Sequence, residues 1–239
     1  MDTQGLIDNR NLKLWDTLRS IHEIEIYKEI RPDYSSFSNS GKTIIYVPFN
    51  NLDTASFTHE LLHIYLRTKQ VFIGGGLILS IKNSQVLSKI FSNDLLDHIG
   101  NCLDHIKMLP EFLQLGYNKN EFISDYSINK LTKEEIAKIK ELFTTGIWFR
   151  KVYDAKAIDA FVGKYFAVNA CPNDSFDYAK QLVDLKKIDS DLFQILDTFL
   201  TNWKDFDFNN TDPITGNYHM LLFNFIENLE KWTRRKTIE

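Results

Sequence analysis

The sequence predicts an α+β protein, mostly helical, with a small antiparallel β-hairpin. Three observations support this. Apolar residues recur every three or four positions along most of the chain, as in helices with one buried face. Two short stretches, residues 22–30 and 42–48, have the alternating or continuous apolar character of strands. The composition of the 239 residues, 44% apolar and 25% charged with ten Gly and five Pro, fits an ordered core rather than a disordered chain.

Residues 10–20 place Leu12, Leu14, Trp15 and Leu18 at helical spacing and predict a short amphipathic helix. From His22 to Ile30 polar and apolar residues alternate, which predicts a strand with one buried face. Residues 32–41 hold Pro32, Asp33, four serines, Asn39 and Gly41 and read as a loop. Lys42 to Pro48 reads as a second strand. Joined by a polar loop, the two strands are expected to pair antiparallel and to lead into the next helix. That helix begins near Thr54, with Asp53 or Thr54 as cap.

The helix from Thr54 to Arg67 carries the chemistry. His59, Glu60 and His63 spell H-E-x-x-H, and on a helix residues four apart share a face, so both imidazoles can reach one metal ion. Glu60 falls where its carboxylate can hold and deprotonate a water at the ion's open position. Phe57, Leu61, Ile64 and Tyr65 form an apolar stripe on the opposite face, so the helix is expected to pack on a core and also present a site. The ordinary alternative is a chance match without metal.

With its apolar strand just upstream, this motif resembles the zincin class of zinc metallopeptidases, over residues 42–67 and onward to about 117. The resemblance implies a zincin-like domain binding one Zn2+ per chain, with Glu60 as general base acting on a peptide or protein substrate. It also implies that the strand before the helix is an edge, so that a substrate lies along Ile44 to Val47. A packing hairpin with a covered edge is the alternative. The metzincin subclass is excluded, since Leu66 and Lys69 stand where it requires Gly and His.

A third protein ligand must come from elsewhere. Residues 94–109, stopped by Pro110, form a helical pattern with Leu95, Leu96, Ile99, Leu103 and Ile106 facing a core. His98 and His105 lie on the border of that stripe about 10 Å apart along the axis, while Asp97 and Asp104 point largely away. His105 is the chosen ligand, with Asn101 four residues before it as a second-layer orienting group. His98 and Asp97 stay open as alternatives, with Glu111 behind them. The resemblance itself points to a downstream Glu-x-x-x-Asp helix, where this chain has only Asp97-x-x-x-Asn101.

Gly74-Gly75-Gly76 lacks the residues of a phosphate loop and reads as a flexible turn or a close backbone approach. From Asn118 the pattern is helical, with segments opened at Thr132 by a capping box and spanning 154–168, 174–185, 190–203 and 217–234. This divides the chain into a core of residues 1–117 and a helical part of 118–239 packed on it, within one continuous unit. The many aromatic residues of the second part read as core. His219 is a candidate for stabilising an oxyanion, as are Tyr117, Tyr126, Arg150 and Tyr218.

A net charge of −4 offers no field for nucleic acid, and no apolar run is long enough to span a membrane. Cys102 and Cys171 form no Cys-x-x-Cys pair. With no signal-peptide pattern at the start, a cytoplasmic location is expected. The alternative to a peptidase is a non-catalytic zincin-like sensor or protein-interaction module. Glu60 counts against it, because a purely structural site has no use for a base.

Overall fold

The computed structural model describes residues 3–39, 41–146, 151–210, 212, 216–234 and 236–239. It has two compact units, one made of Met1–Phe72 with Lys107–Ser127 and the other of Ile73–Ile106 with Ile128–Glu239. The architecture is α+β and mostly helical, as expected.

In the first unit, helix α1 (Leu12–Ile21) precedes strands β1 (Glu23–Glu29), β2 (Ser35–Asn39) and β3 (Lys42–Pro48), and helix α2 (Thr54–Thr68) follows. Leu6, Trp15, Leu18, Ile24, Ile45, Val47, Phe57, Leu61 and Ile64 make one core from α1, the sheet and α2. Asp53 starts α2 by accepting a hydrogen bond from the Ser56 amide at 2.7 Å. The helix ends where Gln70 takes a φ of 60° and the Val71 amide turns back to the Leu66 carbonyl.

The sheet corrects two expectations. Residues 35–39, read as loop, form a strand, and the antiparallel hairpin beside α2 is β2 with β3. β1 pairs with β3 in parallel, with Ile26 opposite Ile45. The serines misled because Ser38 Oγ lies 2.6 Å from Thr43 Oγ1 across the hairpin, so their polarity is satisfied on an edge strand. The order β1-β3-β2 also makes β3 the central strand. Both of its edges are occupied, so Ile44–Val47 is not an open edge for a peptide.

The second unit begins with α3 (Ile73–Asn83), a short α4 (Leu87–Ile90) and α5 (Asn93–Gln114), whose turns from Lys107 onward belong to the first unit. The glycine triplet is the first turn of α3 rather than a turn between elements. Ile73, Leu77 and Ile81 anchor the helix by a buried stripe, and the expected close approach is real: a Cβ on Gly100 would stand 2.8 Å from the Gly74 Cα. That contact offsets the poor helix propensity of glycine. Pro110 does not stop α5. Its missing N–H removes one hydrogen bond, but Phe112 beyond it is fully buried, with ring centroids 4.8 Å from Tyr117 and 5.1 Å from Phe122.

After a 3-10 turn at Lys119–Glu121 come α6 (Lys133–Phe143), β4 (Thr144–Thr145), β5 (Val152–Tyr153), α7 (Ala155–Ala170), α8 (Ala179–Lys186), α9 (Ser190–Asp205), α10 (His219–Thr233) and β6 (Thr237–Ile238). The capping box of α6 forms as expected between Thr132 and Glu135. The small sheet β4-β5-β6 was not expected from sequence. Among the described residues no helix is long and apolar enough to cross a membrane.

Candidate metal centre

His59 and His63 lie one turn apart on α2, their ring centroids separated by 5.0 Å and their planes by 68°. His105 on α5 completes a cluster in which one nitrogen from each imidazole lies within 4.8 Å of the others. Three histidines are therefore close enough to hold a metal ion. Nitrogens about 2.0–2.1 Å from a shared tetrahedral ion stand roughly 3.4 Å apart, so a bound ion would draw the set closer together. His59 and His63 are half-buried, and His105 is 7% exposed. His59 Nδ1 and His105 Nε2 are sealed from solvent and make no hydrogen bond, although both residues have other partners.

Burial, helped by the neighbouring charge of His63, holds the His59 pKa down to about 3. A neutral ring is the form a metal requires. Against these two effects works a hydrogen bond from the ring to the Phe122 carbonyl. The Phe122 ring also packs on His59, with 4.8 Å between centroids. A ligating imidazole that gives its second nitrogen to a backbone carbonyl has its tautomer and orientation fixed.

Glu60, the candidate base, is 7% exposed and makes no ion pair among the described residues. Thr58, one residue before His59, is fully buried in a polar network. Its hydroxyl donates to the Thr54 carbonyl at 2.6 Å and accepts from Asn11 Nδ2 at 2.9 Å, and Tyr117 Oη lies within hydrogen-bond distance of it at 3.0 Å. Arg10 caps this network, with its guanidinium 3.9 Å above the Tyr117 ring and bonded to Asp8 and Thr54. The Arg10 side chain holds the Asp8 carboxyl below its usual pKa, and burial raises that of Tyr117.

The other candidates take different places. His98 is exposed and uses Nε2 toward the Gly163 carbonyl at 3.2 Å, with Cys102 Sγ at 3.6 Å, so it is not in the cluster. Asp97 is exposed, and Asn101 is exposed with no hydrogen bond among the described residues, so the expected orienting role of Asn101 is not seen. Asp104, expected to face away, is 2% exposed. The stripe on α5 is therefore wider than the sequence suggested.

His219 is the exposed first residue of α10, its ring 4.4 Å from that of Tyr218, and it is not part of the cluster. Tyr218 packs among aromatic rings, Tyr117 is committed to Thr58, and Tyr126 is half-buried. Arg150, with Trp148 and Phe149, lies outside the described residues. Sequence reasoning missed Phe122 altogether. The one available signal was Asn118-x-x-Glu121, a capping pattern immediately before it.

No protein-family model, curated protein or solved structure matches the chain.

Proposed function

We propose that the chain is a zinc-dependent peptidase in which His59, His63 and His105 hold the ion and Glu60 is the general base. The observation that supports this reading is the convergence of three imidazoles from two helices within 4.8 Å, with a buried carboxylate next in sequence to one of them. An all-nitrogen set of three suits zinc and leaves a coordination position open.

Zinc, when bound, polarises a carbonyl group and lowers the pKa of water toward neutrality. Glu60 orients the attacking water and takes its proton as the new C–O bond forms at the scissile carbon. As the C–N bond breaks, Glu60 passes that proton to the leaving nitrogen. The edges of the sheet are β1 and β2, and β2, which packs against α2, is the one proposed to take a substrate main chain in place of β3. The half-buried Ser36 and Ser38 lie on this strand.

The test is cleavage of a mixed peptide library by zinc-loaded protein, read by mass spectrometry, with Glu60→Gln in parallel. Cleavage by wild type alone supports the peptidase. A zinc-loaded wild type that binds peptides and cuts none would instead favour the non-catalytic module.

A further inference from the structure

Two consecutive residues of α2, Thr58 and His59, are held by one short segment of chain. Where α5 ends, the backbone turns at Gly116, with a φ of 91°, and runs back across α2. Tyr117 meets Thr58 through its hydroxyl at 3.0 Å. Five residues later Phe122 meets His59 twice, through its ring at 4.8 Å and through its carbonyl. Between them, Asn118 and Glu121 form a capping box. The Asn118 amide and side chain both donate to Glu121 Oε2 at 2.7 Å, and this fixes the 3-10 turn that delivers Phe122. Phe122 is 2% exposed and wedged against Phe112, whereas Asn118 and Glu121 are exposed.

A turn capped so carefully on the surface needs a reason, because a three-residue 3-10 segment buries little of its own. Its two ends lie on the residues that set the position and orientation of one imidazole. Resting on the reading that His59 is a zinc ligand, we infer that the Tyr117–Phe122 strap is the positioning element for that ligand. In this role Phe122 is the contacting residue, and the Asn118–Glu121 box is the latch that holds it. Phe122 is thus a positioning residue that acts through His59. A ligand whose second nitrogen is held in place enters the metal site without first giving up ring freedom, and loss of such support costs roughly 10- to 100-fold in metal affinity.

The experiment is a competition titration of wild type, Glu121→Ala, Glu121→Gln, Phe122→Leu and His63→Ala with zinc and a chromophoric chelator. Cobalt(II) absorption spectra of the same proteins report on ligand geometry. Glu121→Ala is expected to bind zinc about tenfold more weakly and to show a weakened, shifted cobalt band, with its far-ultraviolet circular dichroism unchanged. Glu121→Gln, which can still close the box, restores both. Phe122→Leu keeps the carbonyl and the apolar bulk but lacks the ring, and is expected to show an intermediate loss. Zinc affinity and a cobalt spectrum in Glu121→Ala equal to those of a zinc-binding wild type would overturn this inference alone. A wild type that takes up no more metal than His63→Ala would overturn the metal site and this inference with it.

Discussion

The imidazoles of His59 and His63 stand nearly edge-on, 5.0 Å between centroids, on successive turns of α2. Without a metal between them, burial, helped by the charge of His63, holds His59 in its neutral form far below the ordinary histidine range.

The pH dependence of the metal-free protein follows. The unfolded chain binds a proton at His59 below about pH 6.5, and the folded chain does so only near 3. Between these values the unfolded state holds more protons, so stability falls as pH falls through this window and is insensitive to this residue above it. Urea midpoints at pH 7.5, 6.0 and 5.0 should decline more steeply for wild type than for His59→Asn. Parallel declines would contradict the assignment.

The crossing of α3 and α5 predicts opposite effects for two Gly-to-Ala substitutions. At Gly100 a Cβ meets the Gly74 backbone at 2.8 Å, where no flexible side chain can move aside. Gly100→Ala should therefore cost about 1–3 kcal/mol. At Gly75 a Cβ meets nothing within 4 Å. Gly75→Ala should stabilise by about 0.5–1 kcal/mol, because alanine gives up less freedom in a helix. Urea denaturation of the two variants measures both signs.

Thr58→Val keeps the shape of the side chain and removes the hydroxyl that Asn11, Tyr117 and the Thr54 carbonyl share. With Asn11 fully buried and Tyr117 3% exposed, the groups left behind have little access to water. The expected cost is about 1–3 kcal/mol. Tyr117→Phe should cost less, and the double variant less than the sum, since both substitutions break one shared contact.

In the proposed mechanism Glu60→Gln separates holding the metal from using it. The amide preserves size and removes the base, so zinc content should be unchanged while peptide cleavage falls by at least about a hundredfold. Cleavage at the wild-type rate would remove Glu60 from the mechanism.

Much of the candidate site was legible in the sequence because its signals are local. The i, i+4 spacing of His59 and His63, the Asp53 cap and the Phe57–Leu61–Ile64 stripe each depend on residues within a turn or two of one another. The amphipathic pattern of α5 points to the border that carries His98 and His105, but the feature that favoured His105 over His98 was Asn101, whose orienting role the structure does not show. Long-range pairing carried no such signal. Nothing in residues 22–48 announces that β1 and β3 run parallel, or that a serine-rich segment is an edge strand. The glycine triplet signalled a close approach but not its partner, since Gly100 is distant in sequence, and the course of α5 past Pro110 likewise depends on distant partners. The contact of Phe122 with His59 spans 63 positions and was invisible for the same reason.

The most direct test of the account is zinc content per chain in wild type, His63→Ala and His105→Ala, each purified and then offered zinc. The account expects one tightly held zinc in wild type and loss of tight binding in both variants, with helical content retained. Zinc held by His105→Ala as firmly as by wild type would contradict the three-histidine site. No zinc in wild type would contradict the metal centre itself.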